Sequence, residues 1–265
     1  MENTCINCGA PVVEKFCSAC GQRAGVKRLT LREGWFDFWS RVYGFDGMFP
    51  RTLRDLTIRP GQVARDYIAG NRVKYYGPVG YFFFMISLVL LIFSLVGLDF
   101  AELMQQSAGL QQAPAPGSGQ AEFARIFMQK IADNMRLFSF VIVPIMALWC
   151  RLVFRKSGYN LLEHSIVPFY TNGHIFLVTL IFGLLYHFAQ VPFNQVLSLL
   201  VGVAYQVFAF INFYQYQARW KVAIKAMLAY VLAYFTFMLV ITVAMTVYVL
   251  TDPAAREMLR PSNNP

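Results

Sequence analysis

Charge is what this chain has least of. Asp, Glu, Lys and Arg make up 14% of its 265 residues, where a soluble domain carries about a quarter. Three stretches, 75–98, 165–218 and 226–251, contain no charged residue at all. Such runs exclude an ordinary soluble fold, because about twenty apolar residues already cross a bilayer as a helix. Catalytic signatures are missing as well. There is no Ser–His–Asp order, no glycine-rich phosphate loop and no His-Glu-x-x-His helix, and the uncharged stretches hold no paired carboxylates. An enzyme is therefore not expected. The first residues lack an apolar core, so a cleavable signal peptide is not expected either.

What the N-terminus does hold is cysteine. Cys5-x-x-Cys8 and Cys17-x-x-Cys20 are each followed directly by a glycine, Gly9 and Gly21. Two residues between thiolates let one tight turn aim both sulfurs at a single ion, and glycine supplies the backbone freedom such a turn needs. The spacing predicts a zinc ribbon over 1–26, with Cys5, Cys8, Cys17 and Cys20 as ligands of a structural zinc. A four-thiolate shell is closed and leaves no position for substrate. The alternative is a pair of disulfides in an oxidising compartment.

The uncharged stretches predict spans near 78–98, 136–154, 166–189, 196–214 and 226–250, with a hairpin at 190–195, inside a helical bundle over 77–252. A tail follows over 253–265. The expected fold class is thus an all-α polytopic membrane protein of about five transmembrane helices with an N-terminal zinc ribbon. Lys and Arg concentrate before the first span, after the second (Arg151, Arg155, Lys156) and after the fourth (Arg219, Lys221, Lys225). The loop over 99–133 is mixed in charge, and its 108–120 part is rich in proline and glycine, the composition of a flexible external loop. The positive-inside rule then places the N-terminus in the cytoplasm and the C-terminus outside. A reducing cytosol favours metal over disulfide. The net charge of +9 points to anionic lipid headgroups as partners, and nucleic acid is not expected.

Residues 27–76 predict amphipathic juxtamembrane helices. Thr30-Leu-Arg-Glu33 is a capping box, opening a helix with Leu31, Trp35, Phe38 and Val42 on one face. A second helix is expected over 51–58 and a third from Pro60 to Gly70. Aromatic residues on one side and arginine on the other suit the headgroup layer, with Trp35, Phe38, Arg51, Arg54, Arg59, Arg72 and Lys74 at the lipid surface. The alternative is a small soluble helical domain packed on the ribbon.

The cysteine knuckles, Thr30-Leu-Arg-Glu33, Phe45-Asp-Gly-Met-Phe49 and Arg51-Thr-Leu-Arg-Asp-Leu56 form one ordered string. It continues through Arg59-Pro-Gly61, Tyr67-Ile-Ala-Gly70 and Arg72-Val-Lys-Tyr-Tyr76. Over about residues 5–80 it resembles a bacterial family of zinc-ribbon membrane proteins, the domain of unknown function 3667. The resemblance implies an inner-membrane location and no established activity. Many members have a basic residue where Gly47 stands here. The five-span plan is also similar to that of Yip-type membrane proteins, on the span count and the Arg59-Pro-Gly segment.

Among polar residues inside the spans, Asn172, His174, His187, Gln206 and Asn212 are the candidates for a polar path. His174 and His187, thirteen positions apart on one helix, cannot share a metal. Neutral interhelical hydrogen bonds are the alternative reading of these residues. Cys150 reads as a small core residue, and Ala226, Ala229, Ala233 and Gly202 as places of close helix approach. The functional expectation is a non-enzymatic protein whose zinc-ribbon head recruits a protein partner or senses the membrane surface. The bundle then serves as anchor or organiser, with a homo-oligomer as a possible assembly. The rival is a small transporter or channel component.

Overall fold

A computed structural model describes residues 4–5, 8–20, 48–71, 74–98, 134–191 and 194–253. The capping box at 30–33, Trp35, Phe38, Arg72 and the 108–120 loop lie outside these. The chain forms two compact units, Met1–Asp46 and Gly47–Pro265. The described part of the first is a pair of knuckles with one antiparallel bridge, Thr4 to Pro11.

Seven α-helices make up most of the described part of the second unit: α1 Met48–Ile58, α2 Pro60–Ile68, α3 Pro78–Leu95, α4 Met135–Val153, α5 Leu161–Ala189, α6 Gln195–Phe213 and α7 Arg219–Thr251. Helices α3 to α7 are long and apolar enough to cross a membrane. This is the architecture of a multi-pass membrane protein. The boundaries have local causes. Helix α3 starts on Pro78 and ends where Gly97 takes φ +73, with the Val96, Gly97 and Leu98 amides bonded back into the last turn. Helix α5 begins at Leu161, five residues before the expected 166, because Asn160 and Glu163 close a capping box. Asn194 caps α6. Helix α7 begins at Arg219 rather than 226, so Lys221 and Lys225 ride on its first turns.

Small residues set the packing of the spans. A Cβ on Gly173 would lie 3.0 Å from the Phe82 Cα, and one on Gly183 would collide with the Phe93 ring. The two contacts run in the same order along both helices, so α3 and α5 are parallel. Ala226, Ala229 and Ala233 are buried on α7, whereas Gly202 has ordinary room, its nearest neighbour being Ile175 at 3.7 Å from an added Cβ. Trp149 donates to Thr236 at 3.0 Å, joining α4 to α7.

At 29 residues, α5 is about 44 Å long against a hydrocarbon core of about 30 Å. Its N-terminal turns overhang α3 and seat the two short helices. Tyr170 donates to the Tyr76 carbonyl at 2.7 Å and its ring meets that of Tyr67. Phe49 of α1 packs among Tyr76, Tyr81 and Phe84. Helix α2 crosses the C-terminal end of α6 so closely that a Cβ on Gly61 would overlap the backbone of Asn212 and Phe213.

Candidate functional site

In the first unit, the turn Cys5–Gly9 is closed by the Gly9 amide on the Cys5 carbonyl at 2.9 Å, with Gly9 at φ +71. The Cys5 amide donates to the Ala10 carbonyl at 2.8 Å. These bonds turn both thiols of the first knuckle inward. Cys5 Sγ lies 3.5 Å from Cys20 Sγ, and Cys8 Sγ lies 3.6 Å from Cys17 Sγ. All four sulfurs fall within 4.8 Å of one another. A tetrahedral ion with metal–sulfur bonds of about 2.3 Å needs sulfurs about 3.8 Å apart, so the donor set fits. A disulfide needs about 2.0 Å, and no S–S bond joins these cysteines. The Ala10 backbone lowers the pKa of the Cys8 thiol, but hydrogen bonds with Cys20 and Cys17 push it up to about 12. The Cys8 thiol thus resists ionisation, and a divalent cation at the centre of the four sulfurs would reverse that preference.

In the second unit, a polar cluster gathers on Asp55 of α1, which is 1% exposed. Its carboxylate accepts from Arg54 Nε at 3.0 Å, Arg59 Nη2 at 2.9 Å and the Tyr75 hydroxyl at 3.0 Å. Thr52 accepts from the Tyr76 amide at 2.9 Å, and Lys74 pairs with Asp66 at 2.9 Å. These bonds tie α1 and α2 to the segment that enters α3. Burial works to raise the Asp55 pKa, but the hydrogen bonds from Arg59, Arg54 and Tyr75 outweigh it and hold the carboxyl below the ordinary range. Among the residues expected at the lipid surface, Arg54 and Arg59 are therefore turned in part to Asp55, Lys74 to Asp66, and Arg51 is exposed.

The sign of the pH dependence follows. With the folded pKa depressed, the unfolded chain takes up the proton first. The Asp55 contribution is complete above about pH 5 and is lost as the pH falls through about 4 and below. Asp55→Asn is expected to cost about 2 kcal/mol near neutrality, mostly through the buried Tyr75 bond, since both arginines are solvent-screened. Thermal unfolding in detergent from pH 7 to pH 3 should show the gap between wild type and variant closing at the acid end. A gap independent of pH would overturn this assignment.

The five residues of the expected polar path separate into groups. His174 is 4% exposed and spans three elements. Thr57 donates to the Leu53 carbonyl at 2.9 Å, so it accepts from His174 Nε2 at 3.1 Å, while the Tyr81 hydroxyl donates to Nδ1 at 2.8 Å. The neutral ring is thereby satisfied. Tyr205 packs on this ring and donates to the Leu56 carbonyl at 2.9 Å. Asn172 and Gln206 both reach Met146 Sδ, at 4.0 and 3.0 Å. Asn212 bonds back to the Phe208 carbonyl, and its own carbonyl accepts from Arg65. His187 is half-buried beside Phe188 near the far end of α5.

Thr57, Tyr75, Tyr81 and Tyr205 were not singled out by the sequence. The Asp55–Arg59 pair carried a readable signal, an acid four residues ahead of a base on one helix. The other partners lie on different elements.

The fold and the cysteine set together define a helical multi-pass membrane protein with four clustered cysteines that could hold a metal ion. The family described as protein of unknown function (DUF3667) has a model that matches residues 46–90, which takes in α1, α2, the Asp55 cluster and most of α3. The chain is thus similar to that family over the central part of the motif string. No curated protein and no solved structure matches the chain.

Proposed function

We propose that the protein is a non-enzymatic membrane anchor whose head, held by a structural zinc on the cytoplasmic side of a bacterial inner membrane, recruits a protein partner. The sulfur geometry carries the reading. Four sulfurs within 4.8 Å of one another could fill a tetrahedral shell, in which an ion would organise the head and have no open position for chemistry. The knuckles also leave Val13 97% and Phe16 58% exposed, two apolar side chains that a partner would cover. Lys and Arg near the ends of α4, α6 and α7 and around α1 and α2 support the cytoplasmic orientation of that side. Among the described residues, two buried atoms, His164 Nε2 and Gln206 Oε1, have no hydrogen-bond partner and favour the transporter reading. Against it, His174, Asn172 and Asn212 are held in local or interhelical bonds.

The test is comparative cross-linking of the full-length protein in membranes against Val13→Glu/Phe16→Glu, with metal content measured in both. The expected result is a partner captured by the wild type and lost from a variant that keeps its zinc. Identical capture by both chains, or none by either, would overturn the recruiting role.

A further inference from the structure

The turn between α6 and α7 opens a cleft of about 620 Å³, lined among others by Tyr216, Gln217, Trp220, Lys221, Ile224 and Lys225. We propose that this cleft is a binding site for one anionic phospholipid, its phosphate between Lys221 and Lys225 and its glycerol and first acyl carbons against Trp220 and Ile224.

Charge comes first. Among the described residues, no carboxylate lines the cleft. Lys225 Nζ donates to the Gln217 side-chain oxygen at 3.0 Å and lies 5.9 Å from the Phe154 ring centroid, and Lys221 Nζ sits 5.3 Å over the Trp220 ring. Both lysines are held by neutral partners, so both positive charges remain for an anion. The described ion pairs involve Asp55 and Asp66, on α1 and α2, and neither reaches these lysines.

Depth comes second. Helix α7 has 33 residues, about 50 Å of helix. Its uncharged run starts only at Ala226, and 26 residues already exceed a hydrocarbon core of about 30 Å. Lys221 and Lys225 therefore fall in the headgroup layer, where tryptophan also concentrates.

The wall comes third. Trp220 is 62% and Ile224 61% exposed. Apolar surface beside two cations suits an amphiphile with a negative head better than a free anion. The cleft lies at the end of the bundle where Gly61 meets Asn212 and Phe213. The inference shares only the membrane setting with the proposed function and persists if the head recruits nothing.

The experiment titrates the full-length protein in neutral detergent with dioleoyl phosphatidylglycerol, dioleoyl phosphatidylcholine or inorganic phosphate, read by native mass spectrometry and by thermal shift. Phosphatidylglycerol is expected to bind about tenfold better than phosphatidylcholine, and inorganic phosphate not to compete. Lys221→Glu/Lys225→Glu should abolish the preference. The milder Lys221→Gln/Lys225→Gln reduces it in a chain whose lipid-free unfolding temperature is unchanged. Arg155→Glu/Lys156→Glu, exposed on the neighbouring turn, should leave it intact. Equal binding of the two lipids, full competition by phosphate, or an equal loss in the Arg155/Lys156 variant would overturn the site. The Cys17→Ser chain should bind lipid normally, which separates this outcome from failure of the metal head.

Discussion

Replacing Cys17 with serine is expected to strip the metal from the head and unfold it while the bundle stays intact. Cys17 is 2% exposed, and with Cys5 and Val12 it forms the whole described core of the first unit, Ala10 packing beside them. Burying one valine contributes about 1.5–3 kcal/mol, far below the conformational entropy of ordering a dozen residues. A structural zinc on four thiolates would contribute about 10–16 kcal/mol, enough to decide whether the knuckles fold. Elemental analysis should find about one zinc per wild-type chain and none in Cys17→Ser. A chelator should reproduce the variant, with protease cutting within the first unit in both cases. Because the two units are separately compact, the unfolding temperature of the bundle should not move. A Cys17→Ser chain that retains stoichiometric metal, or that resists protease as well as wild type, would refute the ligand set.

How much of this was legible depends on how local each signal is. The cysteine cluster was readable because its geometry is set within two short turns: Gly9 takes the positive φ that the knuckle requires. The spans were readable because 75–98, 165–218 and 226–251 lack charge. Their starts were less so. Hydropathy does not register the Asn160–Glu163 box that begins α5 early, nor a helix carried outward on basic residues, as α7 is by Arg219, Lys221 and Lys225. The grouping of intramembrane polar residues was not readable. Asn172 and His174 are two positions apart, about 200° around the helix, so one reaches Met146 and the other Thr57 and Tyr81. Which of them meet depends on the rotation of each helix about its axis, fixed by contacts such as Gly173 on Phe82. Tyr75, twenty residues from Asp55, is long-range in the same sense.

The segment matched by the family model contains the residue whose substitution should damage the bundle most. Gly61 follows Pro60 at the start of α2 and faces the last turn of α6. A methyl group there would overlap the carbonyl carbon of Asn212 and the amide nitrogen of Phe213. The obstacle is main chain, so no side-chain rotation relieves it. Moving α2 away would also pull Arg65 from the Asn212 carbonyl. Overpacking of this kind costs about 1–3 kcal/mol where side chains can adjust, and an unyielding backbone places Gly61→Ala at or above the upper end. Gly61→Val should be worse still, whereas Gly70→Ala, at φ +99 with nothing within 4 Å of an added Cβ, should show only the milder cost of a left-handed alanine, about 1 kcal/mol. The three unfolding temperatures in detergent are expected in the order Gly70→Ala, Gly61→Ala, Gly61→Val, highest first. A Gly61→Val chain as stable as wild type would mean that α2 does not lie on α6, and that Arg59-Pro-Gly61 serves something other than this contact.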